Sequence, residues 1–256
     1  MSYTGIFDSH AHYDDPRFDP DRDEILGLLA EQGVAAVTNI GCDRPTSVAS
    51  MELSKRYPFI YATVGFHPHE ARHYERSDAL LMEQWCREEK CVAVGEIGLD
   101  YHYDHSPRDV QRRVFEAQLQ LARELHMPVV IHSREATEDT LELLRKYRPQ
   151  GVVHCFSGSA ETAGEILKLG MYIGYTGVIT FPNARRVLSA VAETPLDRIL
   201  LETDCPYMAP APHRGTRCDS GMLGYVAEKI GEIKGIGAQE LIDRAAENTR
   251  QLYRIR

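Results

Sequence analysis

Residues 5–12 read GIFDSHAH, a short apolar run that ends in two histidines two positions apart. The same pattern returns in IYATVGFHPH (60–69), PVVIHSR (128–134) and GVVHCFSG (151–158), while CVAVGEIGLD (91–100) and RILLETDCPY (198–207) end in carboxylates. Runs this rich in β-branched residues suit strands covered on both faces, the habit of parallel sheets. Parallel strands finish on the same side of their sheet, so the residues that end these runs converge on one rim, where α/β proteins do their chemistry. Eight runs can be counted, at 5–12, 34–42, 59–67, 91–98, 128–133, 151–156, 171–177 and 198–204. Between them lie stretches of helical period, such as Val114, Ala117, Leu121 and Leu125 in 108–126, and Leu141, Leu144 and Tyr147 in 136–147. Eight alternations in 256 residues predict an α/β fold, the closed (β/α)8 TIM barrel; an open doubly wound sheet is the competing arrangement. Helical patterns at 222–234 (Leu223, Val226, Ile230, Ile233) and 239–253 (Leu241, Ala245, Leu252) predict an additional C-terminal helix. The proline-rich PYMAPAPHRG (206–215) reads as a loop over the rim.

A chain that is 43% hydrophobic and 26% charged can bury a large core, and one domain over residues 1–256 is expected. Its beginning, MSYTGIFDSHAHYDD, lacks a basic segment followed by an apolar one, and no stretch approaches a membrane span. A cytoplasmic protein with no membrane contact and no obligate protein partner is expected. Cys42, Cys86, Cys91, Cys155, Cys205 and Cys218 form no CxxC pair and are expected to be free thiols. A net charge of −9 disfavours a broad grip on duplex nucleic acid, because surfaces that track phosphates are basic. Any such contact must be small and metal-assisted.

Alternation along a strand turns His10 and His12 to one side and predicts Asp8 one step deeper on that side. Glu96, His132, His154 and Asp204 each finish a run, so five strand tips supply four imidazoles and two carboxylates. Strand tips make up roughly a tenth of such a barrel, so random placement would put about one histidine there, not six of the eleven. Alone, His154 reads as a hydrogen-bonded histidine and Asp204 as a helix cap; together the six residues read as a site for one or two divalent ions of Zn, Mn or Mg type. Six ligands exceed one tetrahedral zinc, and two ions bridged by Glu96 use them economically. Cys155 and Cys205 alternate to the opposite face, and Glu202 shares the face of Asp204 one layer down.

In order, DSHAH (8–12), GFHPH (65–69), GEIGLDYH (95–102), IHSREA (131–136), HCFSG (154–158) and ETDCPY (202–207) resemble the TatD family of metal-dependent deoxyribonucleases, within the amidohydrolase-like barrels. The resemblance implies a (β/α)8 barrel and hydrolysis of DNA phosphodiesters, typically from 3′ ends, with DNA ends or short single-stranded DNA as substrate. It also implies that His10, His12, Glu96 and Asp204 hold one metal while Glu96, His132 and His154 hold the other. The family's loop usually runs Arg-Gly-Lys-Arg-Asn-Glu-Pro, whereas this chain has Arg214, Gly215, Thr216, Arg217, Cys218, Asp219 and Ser220.

Asp204 is the expected general base, with Glu96 beside it as the second catalytic carboxylate. His67, Arg134 and Arg214 are the expected phosphate contacts, since Arg offers a bidentate fork. Pro68 and His69 are expected to shape a loop, Asp100 to orient a ligand histidine, and Tyr101, His102, Tyr103 and His105 to form a polar aromatic cluster that can stack on a base. A metal centre of this kind attacks a carbonyl as readily as phosphorus, so hydrolysis of an amide, lactone or carboxylic ester is the alternative activity. A catalytically silent barrel that binds a partner is the alternative outside enzymes.

Overall fold

The computed structural model describes residues 3–255, so residues 1, 2 and 256 of the expected domain lie outside it. The eight runs form β1 (Ile6–Ala11), β2 (Val34–Ile40), β3 (Ile60–Val64), β4 (Cys91–Asp100), β5 (Val129–Arg134), β6 (Gly151–Val153), β7 (Tyr172–Tyr175) and β8 (Ile199–Leu201). They pair in chain order, each parallel to the next. A parallel bridge between Ala11 and Cys205 brings the last strand back to the first. The Asp204 N–H donates to the His10 carbonyl at 2.9 Å and the His12 N–H to the Cys205 carbonyl at 2.8 Å. The sheet is therefore a nearly closed barrel rather than an open doubly wound layer.

Helices cover the outside: α1 (Arg22–Leu28), α2 (Arg44–Arg56), α3 (Arg76–Trp85), α4 (Arg108–Glu124), α5 (Thr137–Tyr147), α6 (Ala160–Lys168), α7 (Arg185–Glu193) and α8 (Leu223–Lys234). Local chemistry starts several of them. Asp43 and Thr46 form a reciprocal capping box at α2, and Ser159 caps α6 by accepting the Thr162 N–H. In α4, Val114, Phe115, Leu119 and Ala122 turn inward, each apolar group removed from water at about 25 cal/mol per Å2.

The predicted extra helix is α9 (Ala238–Tyr253). Asn248 donates its amide to the carbonyls of Leu196 and Ile199, at 2.8 and 2.9 Å. Leu252 and Tyr253 then pack with Val92, Val130, Val152 and Leu200, near the starts of their strands. The helix thereby seals the end of the barrel opposite the rim. Among the described residues, no helix is long and apolar enough to cross a membrane.

Two irregularities aim the rim residues. Between Asp8 and Ala11, β1 carries one residue more than β2 does between Val37 and Asn39, a β-bulge. The bulge breaks simple alternation, and Asp8 departs from the expected position beneath the histidines. Its carboxylate accepts from the hydroxyls of Thr203 and Ser220, at 2.5 and 2.6 Å, on the helix side of the sheet. At Gly98, which sits opposite His132 at φ +147°, a Cβ would lie 1.9 Å from the His132 carbonyl oxygen. Only glycine lets β4 pass this close to β5.

Candidate metal centre and active site

Several strands end earlier than the sequence predicts: β6 stops at Val153 and β8 at Leu201, so His154 and Asp204 stand on the segments just beyond. Released from the ladder, the chain turns sharply, with Cys155 at φ +43° and Asp204 at φ +58°. Those turns bring the six expected residues together. Glu96 is the hub. Its Oε1 faces His154 Nε2 at 2.7 Å and His132 Nδ1 at 2.9 Å, while its Oε2 faces His10 Nε2 at 3.4 Å and His12 Nε2 at 4.0 Å. Asp204 Oδ1 adjoins the second pair, 3.5 Å from His10 and 3.3 Å from His12. One carboxylate thus divides two sets of imidazoles between its two oxygens.

The imidazoles also face one another, with 3.2 Å between the Nε2 atoms of His10 and His12 and 3.3 Å between His132 Nδ1 and His154 Nε2. The His10 and His154 rings stack 3.9 Å apart. Glu96 lies buried among them. Burial alone would raise its pKa, but the imidazoles, His154 foremost, overcome it and hold the carboxyl well below the usual glutamate range. Asp204 is likewise ionised, burial being outweighed by His12 and His10. Burial, then the neighbouring His154, lowers His10 to about 4. Nitrogen and carboxylate groups packed this closely need positive charge between them, supplied by protons, as at His132, where burial is outweighed by Asp100 and Glu96 and the pKa rises to about 9, or by divalent cations. The set fits divalent cations: His10, His12 and Glu96 form one group with ligand atoms within 4.8 Å of one another, and His10, His154 and Asp204 a second.

Supporting contacts fix the ring orientations. Asp100 Oδ2 faces both His132 Nε2, at 3.1 Å, and His69 Nε2, at 3.0 Å, while its Oδ1 accepts the backbone N–H groups of His102 and Tyr103. His132 therefore gives Nε2–H to Asp100 and turns Nδ1 to Glu96. Beneath the rim, Glu202 lies inside the barrel, where a Cβ on Gly174 would come within 2.2 Å of its Oε2. Burial pushes Glu202, beneath His154, up to about 8.

His67 groups with Glu96 and His132, its Nε2 lying 3.5 Å from Glu96 Oε1. Its Nδ1 accepts the His69 backbone N–H at 3.2 Å, and burial holds the ring neutral, well below its ordinary pKa. That tautomer puts the proton on Nε2, which makes His67 a donor facing the site. Arg134 and Arg214 are exposed; Arg134 lies over the Tyr103 ring at 4.7 Å and Arg214 over Phe181 at 4.2 Å. Neither pairs with a carboxylate among the described residues. Arg217, by contrast, is committed, forking onto Asp21 at 2.8 and 2.6 Å. With Cys218 buried and Ser220 bonded to Asp8, it anchors the altered loop to the barrel wall.

Cys42 joins the site although no motif marks it. It follows β2, and its thiol, pushed up to about 12 chiefly by burial, donates to Glu96 Oε2 at 3.8 Å. Its place at the end of an apolar run was the available signal. His69 reaches Asp100 rather than only shaping its loop. Cys155 faces Thr176, at 3.5 Å, beside the rim carboxylates instead of the helices, whereas Cys205 is buried in the layer between sheet and helices as expected.

A parallel α/β barrel whose rim gathers imidazoles around two ionised carboxylates defines a metal-dependent hydrolase. A sequence model of the family described as TatD related DNase matches residues 7–254, and the chain belongs to that family. It is 41% identical over 253 residues to YabD of Bacillus subtilis strain 168, described as an uncharacterized metal-dependent hydrolase, covering 98% of this chain and 99% of that protein. It is 31% identical over 259 residues to the 3′-5′ ssDNA/RNA exonuclease TatD of Erwinia tasmaniensis, covering 98% of this chain and 100% of that one. The crystal structure of YjjV, a TatD homolog from Escherichia coli K12, superposes with a TM-score of 0.92 at 30% identity, covering 98% of this chain and 99% of that one.

Proposed function

We propose that this hydrolase cleaves phosphodiester bonds of single-stranded nucleic acid, working inward from 3′ ends. The observation that carries the proposal is the division of the Glu96 carboxylate between His132 and His154 on one oxygen and His10 and His12 on the other. Such an arrangement would hold divalent cations, with His10, His12 and Asp204 available on one side of Glu96 and His132 and His154 on the other. When bound, the cations would acidify a water and neutralise charge on the phosphate oxygens. The chain's own groups do the rest. Asp204, ionised and partly open to solvent, takes the proton of the attacking water at Oδ1. His67 donates Nε2–H to a phosphate oxygen, and the free guanidinium groups of Arg134 and Arg214 hold flanking phosphates. The relative named as an exonuclease supports the direction and the single-stranded substrate, and the net charge of −9 favours short ends over long duplex tracts. Six free cysteines support a cytoplasmic location.

The test is to chelate the protein, restore Mg, Mn or Zn separately, and follow end-labelled single-stranded and duplex DNA beside a panel of lactones and amides. A ladder shortening from the 3′ end, restored with two metal equivalents, is expected. Inert DNA beside a cleaved lactone or amide would replace the proposal with carbonyl hydrolysis.

A further inference from the structure

Beside the candidate metal centre, a cavity of about 260 Å3 opens between the β5–α5 and β6–α6 units, and His154 forms part of its wall. Leu141, Leu144, Val153 and Ile166 make its floor apolar. Around that floor stand the hydroxyls of Thr137, Thr140 and Thr162, and Arg134 and Arg186 flank it. The volume lies just below the range of about 300–1,000 Å3 typical of whole-ligand pockets, so one planar ring system fits and a dinucleotide does not. An apolar floor favours a flat aromatic ring, while hydroxyls both donate and accept and can serve the edges of different bases. Arg134 and Arg186 are exposed, and among the described residues neither is paired with a carboxylate.

We propose that this cavity receives one nucleobase, that of the nucleotide adjoining the phosphate attacked at His154 and Glu96, while Arg186 and Arg134 hold the next phosphate. The proposal rests on the nuclease reading and adds to it a base-binding subsite, filled by any base and left empty by an abasic residue. It explains how an acidic protein can favour single strands: a base enters a recess between two helices only when it is unstacked and unpaired.

Thr137 is exposed at the start of α5, so Thr137→Trp can fill the cavity from its edge with little demand on the fold. Binding of a fluorescent hexathymidylate is measured by anisotropy in chelator, which separates affinity from cleavage. Cleavage of a small diester joining two tetrahydrofuran abasic units, which carries no aromatic ring, is measured with metal restored. We expect Thr137→Trp to weaken hexathymidylate binding at least tenfold and to leave cleavage of the small diester within twofold. An abasic residue at the position next to the 3′ end should weaken binding to the wild type by a similar factor, and the two losses should not add. Arg186→Ala should reduce the salt dependence of log affinity by about 0.7, the contribution of one phosphate contact on a single strand. Full-affinity binding by Thr137→Trp, or equal affinity for normal and abasic strands, would overturn the subsite even if DNA is cleaved. Base-dependent binding by a protein that cleaves neither DNA nor the small diester would keep the subsite and overturn the nuclease reading.

Discussion

Replacing Glu96 with glutamine tests the centre at its hub. The side chain keeps its shape but loses the charge that faces His132 and His154 from one oxygen and His10 from the other, at 2.7 to 3.4 Å. If Glu96 bridges two cations, each cation loses one of its few anionic partners in a single substitution. Removing a hydrogen-bond partner of a metal ligand, a weaker insult, already costs 10–100-fold in metal affinity or activity. A direct loss on both sides compounds to about 10³ in kcat/KM, or about 4 kcal/mol at 1.36 kcal/mol per tenfold. The assay pairs metal content by mass spectrometry with hydrolysis of a labelled single-stranded oligonucleotide, after reconstitution with Mn or Zn. Stoichiometry should fall from two equivalents to one or none. A Glu96→Gln protein holding two equivalents and a tenth of wild-type activity would refute the bridge.

Asp100→Asn removes the acceptor shared by His132 and His69, and metal affinity should fall 10–100-fold; an unchanged titration isotherm would show that His132 needs no such support. Arg134→Ala and Arg214→Ala remove exposed guanidinium groups that lie over Tyr103 and Phe181. Stability should stay within about 0.5 kcal/mol, while KM for an oligonucleotide should rise roughly tenfold on loss of a phosphate contact, and unaltered KM would remove both from the substrate path. Asp8 gives a pH signature: burial lifts its pKa from 3.8 to about 6 against the hydrogen bonds of Ser220 and Thr203. A carboxyl that holds its proton more tightly when folded stabilises the protein at low pH and loses that contribution as pH rises toward 6. Urea unfolding of the chelated wild type should therefore lose up to about 3 kcal/mol between pH 4 and 7 relative to Asp8→Asn, and parallel profiles would refute the assignment.

The architecture was legible because its strands are apolar on both faces and its helices on one. Runs such as PVVIH and RILLE admit no other reading once they alternate with helical periods. That the runs carrying His10, His12, Glu96, His132, His154 and Asp204 end on one rim followed from that geometry, while the turns at Cys155 and Asp204 complete the approach. What stayed hidden depended on local backbone turns. Nothing in GIFDSHAH announces the bulge that sends Asp8 to Ser220, and nothing in RILLETD says that pairing stops at Leu201 and that the next residues cross to β1. Cys155 escaped its expected face for the same reason, since a left-handed turn cancels alternation. Cys42 carries no motif in the sequence and His69 reads there only as a loop-shaping residue, because a single thiol or a loop histidine gains meaning only when its neighbour across space is known.

The junction of first and last strands has a further consequence. It rests on backbone bonds of His10, His12, Asp204 and Cys205, so the groups that would grip cations are also the clasp that turns a curved ribbon into a ring. Cations loaded there would hold the clasp shut from its side chains, and stripping them would loosen the circle at this one link while the other seven ladders stay whole. Loading of the cations would thereby tighten the same link that closes the ring.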